Sequence, residues 1–209
     1  DHLDAGRPAE GRRVSLYLAI EGVDGAGKST VCRALADALA AEGRVVRVVR
    51  EPGGTEVGEQ IRQILLHGED MTPWAEALLF AAQRAQLAAE VIGPALERGD
   101  VVISDRSYYS SLADQGGARG LGIEAVRTVN ELALGGVIPD LVVVLWTDPE
   151  TALARQNVID RIGGEGAQFQ REVAAVYEKV AAENPDRVVL VDASRPVDEV
   201  VTQIMELIR

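Results

Sequence analysis

One cysteine, Cys32, in 209 residues leaves no partner for an internal disulfide, and its place in a helical stretch reads as a small buried apolar position. No apolar run approaches the ~20 residues needed to cross a bilayer. Residues 1–13 are polar and lack the hydrophobic segment of a secretory signal, so they read as a disordered tail on a cytoplasmic protein. Positive charge is scarce: 21 Lys and Arg stand against 33 Asp and Glu, a formal net charge of -12. That balance excludes a general electrostatic hold on nucleic-acid polymers, so any anionic ligand must be gripped by locally placed basic groups. Lysine is scarcer still, with only Lys28 and Lys179 among those 21 basic residues. Repeats, low-complexity segments and linkers are also missing. The length suits one well-buried α/β domain, residues 14–209, and is short for two.

What the chain does have is alternation. Apolar, β-branched runs at 14–20, 45–49, 101–104, 141–145 and 188–191 read as five strands. They are near-continuously apolar, as strands buried on both faces are. Helical patterns fill 29–41, 55–66, 73–98, 122–134, 149–157, 166–182 and 196–208. Asp148-Pro149 is a start signal, with the acid as cap and proline in the first turn; Thr72-Pro73 and Arg195-Pro196 look alike. Strand–helix alternation predicts a parallel sheet with helices on both faces, whose ligands sit beyond the carboxyl ends of the strands. The polar clusters fall at those ends: Asp24 to Ser29, Arg50 to Thr55, and Asp105-Arg106-Ser107.

The first cluster fits G-x-x-x-x-G-K-[ST] from Gly22 to Ser29, between a strand and a helix. In that setting Gly22, Asp24, Gly25, Ala26, Gly27, Lys28, Ser29 and Thr30 form a phosphate cradle: backbone N–H groups and a helix N-terminus face the anion. The expected architecture is therefore a five-stranded α/β P-loop NTPase fold. Lys28 is placed to reach the terminal phosphates of ATP, and Ser29 to hold Mg²⁺. Phosphoryl transfer brings two anions together, so an acceptor clamp is needed as well. Arg50 and Arg106, each just past a strand end, suit bidentate phosphate contacts. Phe80 and Arg84 lie at i and i+4 and share a helix face, where a ring can stack on a base while a guanidinium bonds its edge. Asp105, at a strand end, can orient Arg106 and hold Mg²⁺ through water.

Taken in order, Glu21 to Thr30, Arg50-Glu-Pro-Gly-Gly-Thr55, Leu79-Phe-Ala-Ala-Gln-Arg84 and Asp105-Arg-Ser-Tyr-Tyr-Ser-Ser111 resemble the thymidylate kinase family. Gln115-Gly116, Arg119 to Gly122, Pro139-Asp-Leu141 and Asp160-Arg-Ile162 continue the likeness, from about residue 14 to the end. The resemblance implies ATP- and Mg²⁺-dependent phosphorylation of deoxythymidine monophosphate (dTMP) to the diphosphate, usually by a homodimer. Helices 73–98 and 122–134 could supply its interface. It implies roles for Asp24 beside the acceptor's sugar and phosphate, and for Phe80 and Arg84 at thymine. It also brings Ser110, Ser111, Asp114 and Gln115 to the nucleoside wall. Residues 155–166, glycine-flanked, read as a mobile lid. Because the phosphate loop has Gly25 and Ala26 at its free positions, Arg155 or Arg161 would supply the catalytic cation, as in the bacterial subtype.

The chain departs from the family mainly on the acceptor side. Asp114 stands where tyrosine is frequent, Gln83 where aspartate is, Leu87 where histidine is common, and Gly163 where an acidic residue follows a longer lid. A carboxylate beside an anionic substrate costs binding unless it gains a new partner. Either Asp114 points out of the pocket and the ordinary activity persists, or it recognises an extra hydroxyl or amino group on a modified pyrimidine nucleotide. A third reading is a nucleotide-binding regulator without turnover, against which the two-sided set of Lys28, Arg84, Asp105 and Arg106 speaks.

Overall fold

The structure, a computed structural model, describes residues 15–155 and 161–209; the expected tail at 1–13 and residues 156–160 of the expected lid lie outside them. Five parallel strands form one sheet in the order β2-β3-β1-β4-β5: β1 (Leu16–Glu21), β2 (Val46–Arg50), β3 (Val101–Asp105), β4 (Leu141–Trp146) and β5 (Val188–Asp192). All five coincide with the apolar runs to within a few residues. The helices are α1 (Lys28–Ala41), α2 (Glu56–His67), α3 (Pro73–Leu87), α4 (Gly93–Glu97), α5 (Tyr108–Ser111), α6 (Ile123–Leu134), α7 (Pro149–Ala154), α8 (Gly166–Glu183) and α9 (Val197–Leu207).

Successive strand residues point to opposite faces, and each face has its own core. Leu18, Ile20, Val101 and Ile103 join the larger cluster with residues of α1, α8 and α9. Tyr17, Val49 and Val102 meet Leu87, Ile92 and Ala95 on the other side. A satellite cluster of Leu65, Leu66, Phe80 and Ile162 lies apart from both. The strands are not uniformly buried, however. β2 is an edge strand, and its Val48 is 48 % exposed because no sheet neighbour lies beyond it.

Helix starts follow the expected chemistry at two of three sites. Asp148 accepts from Thr151 N at 2.9 Å with Pro149 in the first turn, and Thr72 caps α3 ahead of Pro73. At the third, Pro196 is itself the non-helical cap, with ψ 145, and α9 begins one residue later. The single stretch expected at 73–98 is interrupted by a π-helical segment at Ala88–Ile92. Pro94 lacks an N–H and crowds the preceding turn, and a widened turn just before it absorbs the conflict. A helical segment not anticipated as such runs through 108–118, first as α5 and then as a π-helical stretch, Leu112–Ala118.

Register places the chemistry. Asp105 is the Cα partner of both Ile20 on β1 and Arg50 on β2, so these carboxyl ends are level. The phosphate loop, the 51–55 turn and Arg106 leave the sheet side by side.

Candidate active site at the carboxyl edge of the sheet

The phosphate loop links β1 to α1, and two of its glycines are there for different reasons. Gly27 has φ 91 and no neighbour near its missing side chain, so it serves the left-handed turn that starts α1. Gly25 serves close approach: a Cβ there would lie 1.9 Å from the carbonyl oxygen of Ala152 on α7. Lys28 is folded over the loop, donating Nζ to Gly22 O at 3.0 Å and Val23 O at 2.8 Å. Burial above all, then the charge of Arg106, lowers its pKa to about 8, against the pull of Asp24 and Asp105. An ammonium so placed gains most when a phosphate group arrives.

Opposite it stands Arg106. Its Nη2 is paired with Asp24, and Nη1 donates to Ser110 Oγ at 3.1 Å. Burial would raise the Asp24 pKa, but Arg106 and then Lys28 hold it below the usual carboxylate range. Asp24 therefore sits between the two cations, 3.9 Å from Lys28 Nζ. Arg50 also lines the cleft, with its guanidinium on Glu59 at 3.0 Å. Arg62, unremarked in the sequence, reaches the same wall and donates to Pro52 O at 2.7 Å.

The far end of the cleft is built from α3 and the segment after α5. The Arg84 guanidinium carbon lies 5.3 Å from the Phe80 ring centroid, so the two share one wall. Arg84 is sealed from solvent and heavily committed: Nε to Glu51 at 2.5 Å, Nη1 to Ser111 Oγ and Asn130 Oδ1, Nη2 to Ser107 O. Of the five guanidinium N–H groups, one on Nη2 is left without a partner among the described residues. Gln115, fully buried, gives Nε2 to Glu76 at 2.8 Å, while its Oε1 has no hydrogen-bond partner among the described residues. Both residues line the cleft.

Asp114 lines the cleft too and so does not point away from it. No side-chain hydrogen bond to it is seen among the described residues. Burial raises its pKa to about 7. Arg106 counters that shift, whereas the neighbouring charges of Asp24, Glu21 and Glu76 add to it. Below pH 7 it is therefore a neutral acid.

The two candidate lid arginines part company. Arg155 follows α7, is exposed, and lines both the main cleft of about 460 Å³ and a smaller hollow of about 190 Å³ beside it. Arg161 faces elsewhere: Nη1 pairs with Glu76 at 2.8 Å and Nε donates to Leu65 O at 2.8 Å. It lies outside the lining of the cleft, and the expectation that it shares the catalytic position gives way to an anchoring one. Glu76, itself buried, draws the cation inward by also holding Arg119 and Gln115. The smaller hollow includes Thr30 and Val31 of α1 with Ala193 and Arg195 after β5.

Ser29 donates Oγ to Asp105 at 2.5 Å, beside Lys28. Among the described residues no group of three His, Cys, Asp or Glu side chains could hold a metal by itself. Two adjacent hard oxygens at a phosphate site fit Mg²⁺, which takes few protein ligands and completes its shell with water and phosphate.

One cleft thus brings together Gly22, Asp24, Gly25, Gly27, Lys28, Ser29, Thr30, Arg50, Phe80, Arg84, Asp105, Arg106, Ser110, Ser111, Asp114, Gln115 and Arg155. Of the residues singled out in the sequence, Ala26 and Arg161 do not line it. Glu51, Arg62 and Gln170 line it unforeseen. Only Glu51 carried a local signal, as the acid following Arg50.

The chain matches the family model described as Thymidylate kinase over residues 20–204. It is 43% identical over 196 residues to a thymidylate kinase of Synechococcus sp. (strain JA-3-3Ab), covering 93% of this chain and 95% of the relative. It is 46% identical over 197 residues to a thymidylate kinase of Leifsonia xyli subsp. xyli (strain CTCB07), covering 92% of this chain and 93% of the relative. Among solved structures, a thymidylate kinase from Ehrlichia chaffeensis superposes with a TM-score of 0.77 at 26% identity, over 93% of this chain and 99% of that one.

Proposed function

This chain belongs to the thymidylate kinase family, and we propose that its central cleft transfers the γ-phosphoryl group of ATP to dTMP, giving dTDP and ADP. The observation that carries the reading is the facing of two anion sites, Lys28 on the phosphate loop and Arg106 across Asp24, with the Phe80–Arg84 wall beyond.

A phosphate oxygen of dTMP forms the new bond to the γ-phosphorus while the bond from that phosphorus to the β,γ-bridging oxygen breaks. The acceptor phosphate is largely ionised at pH 7, since its second pKa is near 6, so no general base is required. The work left to the protein is alignment and charge compensation. Lys28 and the loop amides hold the donor; Arg106, with Arg50 and Arg62 on the same wall, holds the acceptor; Arg155 offsets charge on the transferred group. Asp24 keeps the two cation sites at a fixed spacing. Ser29 and Asp105 would hold Mg²⁺, which when bound offsets charge on the β- and γ-phosphates. The adenosine end of ATP fits the hollow behind Arg155, between α1 and the turn after β5.

The pyrimidine edge is matched by two atoms. A 4-oxo pyrimidine offers a carbonyl to the remaining Arg84 N–H and an N3–H to the unpartnered Gln115 Oε1; cytosine reverses both. Gln115 cannot turn round without pointing its carbonyl at the Glu76 carboxylate. Leu66, Phe80 and Ile162 line the cleft with apolar surface suited to a 5-methyl group. Asp114, neutral below pH 7, then adds no charge beside the acceptor phosphate. It can also donate or accept a bond at the sugar, which keeps open a preference for an acceptor bearing an added hydroxyl or amino group.

We also propose a homodimer through the outer faces of α3 and α6, where Trp74, Leu78 and Leu132 are exposed, Leu132 by 84 %. No described helix is long and apolar enough to cross a membrane, and a cytoplasmic location suits a nucleotide kinase. The test of function is ADP release from ATP–Mg²⁺ against dTMP, dUMP, dCMP and 5- or sugar-modified monophosphates. A marked preference for dTMP is expected; turnover only with a modified acceptor would reassign the substrate, and none with any would reject the kinase.

A further inference from the structure

Glu21 ends β1 one residue before the phosphate loop, and its side chain is fully buried. It makes no contact in the transfer scheme. Its Oε1 accepts from Ser107 N at 2.6 Å, Ser107 Oγ at 2.7 Å and Ser110 N at 3.2 Å. Its Oε2 accepts from Ser110 Oγ at 2.7 Å and Tyr177 OH at 2.7 Å. A carboxyl group withdrawn from water needs its lone pairs met. Among the described residues every partner comes from one of two places, the segment just after Arg106 (Ser107 and, in α5, Ser110) or the helix α8.

The turn into that segment is unusual. Arg106 has φ 75, a left-handed conformation that side chains other than glycine seldom adopt. Something must hold it, and β1 does so twice. Arg106 N donates to Ile20 O at 3.0 Å, and the next amide, Ser107 N, donates to Glu21. Two consecutive amides after β3 are thus fixed to two consecutive residues of β1. The residue after those two, Gly22, gives its carbonyl oxygen to Lys28 Nζ at 3.0 Å and to Arg106 Nη1 at 3.4 Å.

We propose that Glu21 is a positioning residue for phosphoryl transfer. It sets the Arg106 guanidinium, and so the acceptor phosphate, at a fixed offset from the donor loop that begins at the next residue. Through Tyr177 it ties α8, whose Gln170 accepts from Asp24 N at 3.3 Å, to the same point. In-line transfer depends steeply on such offsets, and a 1 Å misplacement can cost about 10²-fold in rate. The inference rests on the kinase reading and deepens it. A residue that merely filled the core would lower stability without distinguishing acceptor from donor.

The test compares Glu21→Gln with wild type in kcat, in KM for each substrate, and in equilibrium affinity for dTMP and for ADP. Wild-type turnover of dTMP tests the kinase reading by itself. The affinities test the positioning role whatever that result. For Glu21→Gln the expectation is a fall in kcat of about tenfold or more, weaker dTMP binding, and ADP affinity within about twofold of wild type. Ser107→Ala keeps the carboxyl group and deletes one of its bonds, together with the weaker cap on Tyr109 N at 3.3 Å, and should move the same quantities less. It decides the question should Glu21→Gln fail to fold. Unchanged kcat and dTMP affinity in a folded variant, or equal losses for dTMP and ADP, would overturn the proposal.

Discussion

Arg84 Nε lies 2.5 Å from Glu51 Oε2, and both side chains are sealed from solvent. Burial raises the Glu51 pKa and the Arg84 charge draws it back. Breaking such a pair leaves an uncompensated buried charge, typically costing about 3–5 kcal/mol. Glu51→Ala should therefore lower unfolding free energy by that order and also raise KM for dTMP, because Arg84 loses its aim. Urea denaturation and acceptor titration measure the two effects separately. A variant with normal stability would show that the pair adds little beyond its neighbours.

Lys28→Ala removes two bonds made only to carbonyls of its own loop. Its effect should fall on chemistry, with kcat reduced by at least about 10²–10³, the scale for losing one pre-placed charge-stabilising donor. The thermal midpoint should change little. Turnover near the wild-type level would remove Lys28 from the mechanism.

Asp114 sets an acceptor-specific pH response. With a pKa near 7, it is neutral below that pH and gains a negative charge above it. The groups around it are Arg106, Asp24, Glu21, Glu76 and Tyr177, and only the first carries positive charge. KM for dTMP should accordingly rise between pH 7 and 8.5. Asp114→Asn should flatten that rise while leaving the shared titration of the dTMP phosphate in place. The folded-state pKa lies above the unfolded value, so the ionised form is disfavoured by folding, and stability tied to this group is lost as pH climbs from about 4 to 7. Asp114→Asn should thus raise the melting temperature most at pH 8 and much less near pH 4. Parallel pH profiles for the two proteins would contradict the assignment.

The two arginines on either side of residues 156–160 should separate cleanly. Arg155→Ala is expected to reduce kcat by about 10³–10⁵, the range for a transition-state arginine, with little loss of stability. Arg161→Ala breaks contacts with Glu76 and Leu65 and should chiefly lower the melting temperature. Equal kcat losses in both would restore Arg161 to the chemistry.

Leu132 is exposed by 84 % on α6. Light scattering on an eluting sizing column should give a dimer mass, and Leu132→Glu should shift it toward the monomer. A wild-type monomer at micromolar concentration would leave that face without a second copy.

Much of the site was readable because it is local. The phosphate loop, Arg50, Asp105 and Arg106 each mark the end of an apolar run, and parallel strands put such ends on one edge. Phe80 and Arg84 share a face by helical spacing alone. What stayed hidden was set by distance in sequence. Glu21 and Tyr177 are 156 positions apart, and Asp24 and Gln170 are 146 apart. No periodicity or spacing announces such pairs. Asp114 shows the same limit in another form: its departure from the family pattern was visible, but its protonation depends on carboxyl groups brought near by the phosphate loop, β1 and α3. Arg161 looked equivalent to Arg155 until Glu76, buried on α3, drew it away.

Gly25 has given its side-chain space to the backbone of α7, leaving 1.9 Å where a Cβ would sit. A cation therefore cannot be added to the loop at that position by one codon change, since any side chain would first have to push α7 aside. The helix that blocks it is the one that ends at Arg155. A side chain at Gly25 and the present course of α7 exclude each other sterically, so a cation lost from position 155 could not be restored from Gly25 in a single step.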